Sequence, residues 1–380
     1  MKSEIETRSF SDVLEIRNGK DQKKVQSPDG AYPIYGSGGE MGRASAYLCP
    51  AETIILGRKG SINSPIFVRE PFWNVDTAFG LIANRIILDP VYLFHFCKSF
   101  DFSKLNTTVT IPSLTKANLL KVRLPVPSME TQKSIAARLG KVCDLIDKRQ
   151  AQLAQLDTLA KSLFVEMFGD PATNPSNWKT ERLKSCSELL SDGPFGSNLK
   201  SSHYVDSGVR VIRLQNIGVG TFLDDDKAFI SNSHYDSLKR FTCRPGEVVI
   251  GTLGDPNLRA CLVPSHIGCA INKSDCVHCI PNHELLLEAF VVAYINSPGT
   301  LSLVSGDIHG QTRSRVSSGQ LAKMPIFLPP LSLQHAFSER VEAIDKSKFA
   351  ILRWLSYFDR EAATKSARRG LSPAPWRDRN

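Results

Sequence analysis

The sequence predicts an α+β fold in which two mixed α/β domains are each followed by a long helix. Two observations predict it. Apolar residues recur at alternate steps of three and four over Gln132–Met167 and over Gln334–Phe358, and the two stretches coincide 202 positions apart. Short β-type runs bounded by Gly, Pro, Asn and Asp fill the segment before each stretch. The chain is therefore predicted to contain one structural unit twice.

The two domains are expected over residues 1–127 and 169–329. Each combines short strands with one helix near its end, and in the first domain Asp89-Pro90 places proline in the first turn of that helix, where its missing N–H does no harm. The predicted strands are Thr53–Leu56, Ile66–Val68, Arg85–Leu88, Val209–Arg213, Glu247–Ile250 and Cys276–Ile280; the predicted helices are Val91–Phe100 and Glu284–Asn296.

The two spacer helices are expected over residues 128–168 and 330–365, followed by a disordered basic tail over residues 366–380. Ser128 is the predicted N-cap of the first helix, which would be about 55–60 Å long. A narrow apolar seam favours one partner helix, so the two are predicted to pair antiparallel about a pseudo-twofold axis; the alternative is two separate arms that bind other proteins. The seam residues are Ile135, Leu139, Val142, Ile146, Leu153, Leu156, Leu163, Phe337, Val341, Ile344, Ile351, Leu355 and Phe358, interrupted by Arg149 and Lys348.

Composition narrows the class of protein. The 380 residues carry a formal net charge of +9, which favours an anionic partner such as nucleic acid. The sequence has no apolar run of transmembrane length and no signal-peptide core near Met1. Nine cysteines, an odd number, are typical of reduced thiols, so a cytoplasmic protein is expected.

A glycine-rich loop follows the predicted strand Thr53–Leu56. The sequence Gly57-Arg58-Lys59-Gly60-Ser61 delivers two cations and a hydroxyl on a backbone that can approach a phosphate closely. Arg58 can also donate two hydrogen bonds to a guanine edge. The loop lacks the spacing of a phosphate-binding P-loop, and a solvated surface turn is the alternative interpretation.

The second half repeats this frame with different side chains. CRPGEVVIGTLG matches CPAETIILGRKG at an offset of 194, and Thr252-Leu253 replaces the Arg-Lys pair. Two further loops, Asp192–Lys200 and Arg213–Asn216, combine an aromatic ring, amides and cations that can contact bases or phosphates. Gln311, Arg313 and Arg315 follow in a basic stretch before the second helix.

Signals for catalysis or a metal are weak. Cys276 and Cys279 form one CxxC pair, whereas a zinc ribbon needs a second close pair, so no metal site is predicted. The amino-methyltransferase, Walker, HExxH and GxSxG patterns are all missing. The pattern is typical of a recognition protein whose chemistry lies in a partner.

These features together resemble one family. YPIYGSGG, ETIILGRKGS, FWNVDTAF and TVTIPSLTKANLLKVRLPVP in the first half, with GPFGSNLK, VRVIRLQNIG and RPGEVVIGTLG in the second, resemble the specificity subunit of type I restriction–modification enzymes from about Phe10 to Phe358. The resemblance implies two target recognition domains, each binding one half of a bipartite double-stranded DNA target. It also implies two antiparallel helices that separate these domains and dock two modification subunits.

The resemblance implies a subunit without a catalytic site or cofactor of its own. S-adenosylmethionine, ATP and Mg²⁺ are expected on partners: modification subunits that methylate adenine, and restriction subunits that translocate and cleave DNA. The first half departs from the repeat in that it lacks an RLQN-like loop. The expected DNA-binding residues are Tyr35, Ser37, Arg43, Arg58, Lys59, Ser61, Phe195, Ser197, Asn198, Lys200, Arg213, Gln215, Asn216, Thr252, Arg259, Gln311 and Arg313.

Two other classes of function are also compatible with the sequence. A self-contained DNA-cleaving enzyme would need an active site that the known patterns miss. A coiled-coil scaffold protein would need neither the domain duplication nor the GRKGS loop.

Overall fold

The structure, a computed structural model, describes residues 5–106, 112–304 and 315–367, with side chains as far as Tyr357. It contains two compact units. Unit 1 is Met1–Ala151 with Leu352–Asn380, and unit 2 is Gln152–Ile351. Each unit therefore contains one globular half of the chain and part of each long helix.

Strands and helices alternate in the first half. The strands β1–β9 are Thr7–Ser9, Leu14–Asn18, Tyr32–Gly36, Gly39–Ala44, Thr53–Gly57, Ile66–Val68, Trp73–Asn74, Ala78–Ala83 and Arg123–Pro125. The helices α1–α4 are Phe10–Val13, Pro90–Ser99, Lys116–Leu120 and Met129–Phe168. The Asp89 carboxylate accepts a hydrogen bond from the Tyr92 amide and caps α2, with Pro90 in the first turn as predicted.

The core of unit 1 lies on an antiparallel sheet with the strand order β2-β8-β5-β6. Every residue of β5 is buried, which explains its continuous apolar sequence. Phe10, Leu81 and Leu93 belong to this core and are fully buried. A second sheet, β4-β3-β7, pairs β3 with β7 in parallel, so the end of β3 and the end of β7 lie side by side.

The second half follows the same order with additions. Its strands β10–β20 are Thr180–Arg182, Ser187–Ser191, Tyr204–Val205, Val209–Ile212, Ala228–Ile230, Thr242–Cys243, Val248–Gly251, Arg259–Leu262, Ala270–Asn272, Cys276–Pro281 and Pro325–Phe327. Its helices α5–α9 are Asn232–Leu238, Glu288–Asn296, Pro298–Val304, Ser318–Lys323 and Leu331–Ala367. The mixture of helices and sheets confirms the α+β class.

Unit 2 repeats the sheet topology of unit 1. The order β11-β19-β16-β17 matches β2-β8-β5-β6, and all neighbours are antiparallel in both. The second sheet has five strands, β12-β14-β13-β18-β15, and its parallel pair β13–β18 corresponds to β3–β7. The loops that follow β3 and β13, and those that follow β5 and β16, are therefore equivalent in the two units.

A buried glutamine joins each globular half to its long helix. The Gln132 side chain is 0% exposed; its Oε1 accepts from the Asp89 amide at 2.9 Å and its Nε2 donates to the Ile87 and Pro127 carbonyls. Gln334 makes the same three bonds in unit 2, to the Leu287 amide and to the Leu285 and Pro329 carbonyls. The repeat found in the sequence is thus a repeat of hydrogen bonds.

The two long helices run antiparallel where they meet within unit 2. Phe164 and Phe168 of α4 stack on Phe337 of α9, with ring centroids 5.8 and 5.3 Å apart. Lys348 Nζ lies 2.6 Å from Asp157 Oδ1, farther back along α4. Advancing along one helix therefore means going back along the other, as the heptad pattern predicts.

Polar residues that interrupt the seam have partners. The Lys348 side chain, 19% exposed, pairs with Asp157 and lies 3.8 Å from Asp345. In unit 1 the Arg149 guanidinium lies 5.9 Å from the centroid of the Trp354 ring. The seam residues are buried or half-buried except Leu139, which is 42% exposed, and the Phe358 side chain lies outside the described residues.

Some local predictions are wrong. Arg85–Leu88 is a turn rather than a strand, because the Ile87 and Leu88 amides both bond back to the Asn84 carbonyl and Ile86 is 89% exposed. The helix expected from Glu284 begins at Glu288. Helix α9 reaches Ala367, and residues 368–380 of the expected tail lie outside the described part of the chain. Within the described residues, none of the helices is both long and apolar enough to cross a membrane.

Candidate nucleic-acid interface

Four segments of unit 1 meet beside the ends of β3 and β5. We call residues 36–39, 57–61, 74–78 and 112–114 the first-half loop cluster. The Arg58 amide donates to the Thr77 carbonyl at 2.8 Å, and the Leu114 amide donates to the Arg58 carbonyl at 2.9 Å. A Cβ added to Gly57 would lie 2.4 Å from the Ser61 carbonyl oxygen and 3.1 Å from the Ser37 Cβ, so the GSGG turn and the GRKGS loop touch.

The cations of this cluster are available for a ligand. Arg58, Lys59 and Ser61 are exposed, and within the described residues neither cation has an ion pair or a side-chain hydrogen bond. The Arg58 guanidinium lies 6.0 Å from the centroid of the Phe79 ring, a stacking that leaves its N–H groups free to donate. The backbone holds the loop while both charged side chains face solvent, which suits binding of a polyanion.

Other predicted residues of the first half are more enclosed. Tyr35 is half-buried with its ring 5.7 Å from Phe72, and burial raises the pKa of its hydroxyl. Arg43 donates to the Gly30 and Ala31 carbonyls, both at 3.2 Å, and lies 3.9 Å from Glu40. Arg43 therefore supports its own hairpin in this structure.

Unit 2 contains an equivalent arrangement, the second-half loop cluster, made of residues 213–216, 251–254, 272–275 and 315–316. The Thr252 amide donates to the Asp275 carbonyl at 3.1 Å, and the Val316 amide donates to the Thr252 carbonyl at 3.0 Å. These bonds repeat those of Arg58 with Thr77 and Leu114. The shared frame therefore presents Arg58-Lys59 in one unit and Thr252-Leu253 in the other.

Arg259 positions the second-half loops from inside. Its guanidinium donates to four backbone carbonyls, those of Leu214, Ile217, Leu253 and Pro256, at 2.5 to 2.9 Å. Burial lowers the pKa of this guanidinium. With its donors used in this way, Arg259 ties the RLQN loop to the GTLG loop, a role that differs from the DNA contact expected of it.

The residues of the RLQN loop differ in their exposure to solvent. Asn216 is 0% exposed, and its amide nitrogen donates to the Leu223 and Asp226 carbonyls at 2.9 and 2.8 Å. Arg213 is half-buried, is ion-paired with Asp226, and lies 5.5 Å from the centroid of the Tyr204 ring. Gln215 is exposed, so it is the residue of this loop most able to contact a base.

The remaining predicted residues of unit 2 also differ in access. Thr252 is 1% exposed and its hydroxyl donates to the Asp275 carbonyl at 3.2 Å. Ser197, Asn198 and Lys200 are exposed, as is Phe195 at 50%. Phe195 and Asn198 line an open groove of about 510 Å³ together with Arg240 and Phe241. Gln311 and Arg313 lie outside the described residues.

Sequence reasoning missed the support of the RLQN loop. Arg210 is 4% exposed, pairs with Asp224 at 2.8 Å and donates to the Asp226 carbonyl at 2.7 Å. The acidic run Asp224–Asp226 thus holds both arginines of VRVIRLQN. An acidic run one loop after a basic strand was the available signal, although many surface loops carry one.

Among the described residues, the cysteines and histidines of unit 2 do not form a metal-binding cluster. Cys276 and Cys279 are three residues apart on one strand, so their thiols point to opposite faces and belong to different apolar clusters. His278 Nε2 lies 2.8 Å from Glu247 Oε2. Within the described ranges, groups of three or more His, Cys, Asp or Glu side chains placed to hold a metal ion are missing.

Comparison with known proteins agrees with the fold. A family model described as the type I restriction modification DNA specificity domain matches residues 2–158. The chain is 24% identical over 322 residues to the type I restriction enzyme MjaVIII specificity subunit of Methanocaldococcus jannaschii, covering 78% of this chain and 70% of the relative. It is 20% identical over 374 residues to the EcoBI specificity subunit of Escherichia coli, covering 88% and 76%.

Solved structures give the same result for the fold. The crystal structure of the type I restriction-modification S subunit from M. genitalium matches with a TM-score of 0.57 at 16% identity, covering 94% of both chains. Residues 2–158 thus match a DNA specificity domain, and the fold of the whole chain resembles that of an S subunit. Over most of its length the chain is similar to specificity subunits of type I restriction–modification enzymes.

Proposed function

We propose that this chain selects the DNA sequence on which a type I restriction–modification complex acts. Each loop cluster would bind one half of a bipartite, asymmetric duplex target. The observation that carries the proposal is the repeated frame of backbone hydrogen bonds, which presents two cations in unit 1 and holds an uncharged, more enclosed pair at the equivalent positions of unit 2. Two different surfaces on one frame suit two different half-sites.

The chemistry would reside in partner subunits. Modification subunits with S-adenosylmethionine would methylate adenine, and restriction subunits with ATP and Mg²⁺ would cleave. The long helices are the proposed docking surface because several apolar side chains on them stay exposed: Leu145 at 41%, Leu159 at 51%, Val165 at 45% and Phe349 at 68%. Exposed apolar side chains along one element are typical of a protein interface.

Mapping of methylated adenines tests the function. The chain is co-expressed with its modification subunit, and methylated positions are read across a genome. A bipartite motif with a fixed gap is expected. An R58Q/K59Q variant should lose at least about tenfold in DNA affinity, because two phosphate or base contacts disappear. The matched variant R69Q/K121Q removes two exposed charges of unit 1 that lie outside the long helices and should leave affinity unchanged.

Two results would contradict the proposal. Methylation without any fixed motif would remove the recognition role. Reproducible cleavage of DNA by the purified chain with Mg²⁺ alone would instead indicate a self-contained enzyme. Wild-type affinity in R58Q/K59Q would reject the assigned contacts while leaving the function standing.

A further inference from the structure

One glycine occupies the same place in both units. Gly19 follows β2, and a Cβ added to it would lie 1.8 Å from the Val75 carbonyl oxygen and 2.8 Å from that of Asn74. Gly193 follows β11, and its added Cβ would lie 2.4 Å from the carbonyl oxygens of Asn272 and Lys273. Both positions require glycine because a neighbouring backbone segment leaves no room for a Cβ atom.

The residues beneath these glycines are also equivalent. Asn74 ends β7 and Asn272 ends β18, the parallel partners of β3 and β13. Both asparagines are 0% exposed, and each donates its side-chain amide to a carbonyl four residues on, Ala78 at 3.2 Å and Cys276 at 2.6 Å. Gly19 and Gly193 therefore lie at equivalent positions in the two units, just after the equivalent strands β2 and β11.

This equivalence identifies the first-half counterpart of the DGPFGSNLK loop. The chain that leaves Gly193 becomes Phe195–Lys200; the chain that leaves Gly19 becomes Lys20-Asp21-Gln22-Lys23-Lys24. The three lysines are exposed. Lys23 Nζ lies 3.9 Å from Asp21 with side chains 84% and 65% exposed, a pair too solvated to hold either charge. The segment keeps a net positive charge.

The segment also lies beside the first-half loop cluster. The Lys20 amide donates to the Asn74 carbonyl at 3.0 Å, and the Gly19 amide donates to the Ala78 carbonyl at 3.1 Å. The turn 74–78 that receives these bonds also receives the amide of Arg58, through Thr77. Lys20 and Arg58 are thus anchored to two ends of a single turn.

We propose that Lys20, Lys23 and Lys24 bind the phosphate backbone of the DNA half-site recognised by unit 1. The inference rests on the proposed function and adds to it a binding segment. Contact with phosphates rather than bases follows from the chemistry. Lysine presents a flexible point charge, and among the described residues nothing stacks on these side chains or hydrogen-bonds to them in a way that would fix them on a base edge. Arg58, set on the backbone frame, is better placed for bases.

Salt dependence of DNA binding tests this segment. The assembled complex with modification subunits is titrated with a duplex carrying the mapped motif and with a duplex lacking it, from 50 to 200 mM KCl. K20Q/K23Q/K24Q should lose roughly 10- to 100-fold in affinity for both duplexes, and the slope of log K against log salt should fall by roughly 2 to 3. The methylated motif should stay the same.

Two variants make the result specific. K20R/K23R/K24R keeps the charges and should bind within about twofold of wild type. R69Q/R85Q/K121Q removes three exposed cations of unit 1 that lie outside the long helices and should keep the wild-type slope. An unchanged slope in K20Q/K23Q/K24Q, or an altered motif, would overturn the inference. If the wild-type complex itself lacks a bipartite motif, the proposed function fails instead.

Discussion

Gln132 and Gln334 each help to fix the orientation of a globular half relative to its long helix. Each is buried and satisfies one backbone amide and two backbone carbonyls at the entry to a long helix. An amide is the side chain with one acceptor and two donors at such a short reach. The angle between a globular half and its helix is therefore set by hydrogen bonds as well as by apolar packing.

Replacing Gln132 with methionine should destabilise unit 1 by about 2–4 kcal/mol. Methionine keeps the volume but leaves three buried polar groups without partners, and each costs more than an average hydrogen bond contributes. Urea unfolding followed by tryptophan fluorescence measures the change. K133Q, on the neighbouring exposed residue, is the control and should stay within about 0.5 kcal/mol of wild type. Equal stability of the methionine variant would show that the bonds contribute little.

The thiols should react in an order set by burial. Among the described residues Cys269 is exposed, whereas burial raises the pKa of Cys49, Cys261 and Cys276 to about 12. A thiol reacts as its thiolate, so these three should stay protonated and unreactive. Iodoacetamide labelling at pH 8 with peptide mass spectrometry should find Cys269 modified first. Early labelling of Cys261 in folded protein would contradict its burial.

His278 gives unit 2 a pH dependence. Burial lowers the pKa of this imidazole, and the neighbouring Glu247 opposes the shift only in part. The folded chain thus resists a proton that the unfolded chain accepts below a pH of about 6.5, so stability should fall as the pH falls from 7 to 5.5. H278Q should show a shallower decline in urea unfolding. H266Q, on an exposed histidine, should follow wild type; identical slopes for H278Q and wild type would reject the assignment.

At the scale of elements, an aromatic cluster holds the two helices together in unit 2. Phe168 contacts Phe164, Phe290 and Phe337, with ring centroids 4.8 to 5.3 Å away. Phe290 belongs to α6, so the cluster joins both long helices to the globular half. A seam that looks like a two-helix pairing in sequence becomes, at this end, part of a domain core.

Phe168→Ala should destabilise unit 2 by about 3–5 kcal/mol, since it removes a fully buried ring and leaves a cavity. Hydrogen exchange by mass spectrometry should show faster exchange in α6 and α9 while unit 1 strands keep their protection. Val165→Ala, on a side chain 45% exposed, is the matched change and should cost less than about 1 kcal/mol. Uniform loss of protection in both units would mean that they unfold as one.

The sequence predicts elements with strong periodicity better than elements defined by distant partners. The helices and the buried strands β5, β16 and β19 follow from apolar patterns. Arg85–Leu88 has the composition of a strand, but its carbonyls and amides are used by a turn and by Gln132. The equivalence of Gly19 and Gly193 was hidden because insertions change the offset along the chain. Only the sheet topology restores it.

The candidate site follows the same division. Exposed Arg58 and Lys59 keep the access that their loop composition predicts. Arg259 and Asn216 have side chains typical of DNA contacts, yet their donors are used by backbone carbonyls. Whether a polar side chain faces a ligand or the protein depends on neighbours 7 to 45 positions away in these cases, and residue type alone does not decide it.

At the scale of the molecule, two units with separate cores present different loops on one frame. Changes in the two loop clusters should therefore act independently. R58Q/K59Q should alter recognition of one half of the methylated motif and Q215A the other, with DNA-binding losses that add within about 0.5 kcal/mol in the combined variant. Motif mapping and titration of all three variants measure this. Loss of both halves from either change alone would show that the clusters are coupled.

Unit 2 is a continuous stretch of chain, whereas unit 1 is completed by residues from Leu352 onward. During synthesis, unit 2 can thus finish folding while unit 1 still waits for its last helical segment. Trp354, which stacks on Arg149, reaches its place only after the ribosome has made the chain beyond residue 354. A nascent chain stopped before that point would carry a finished second half and an incomplete first half. Early termination would therefore leave the apolar seam of α4 partly uncovered in unit 1.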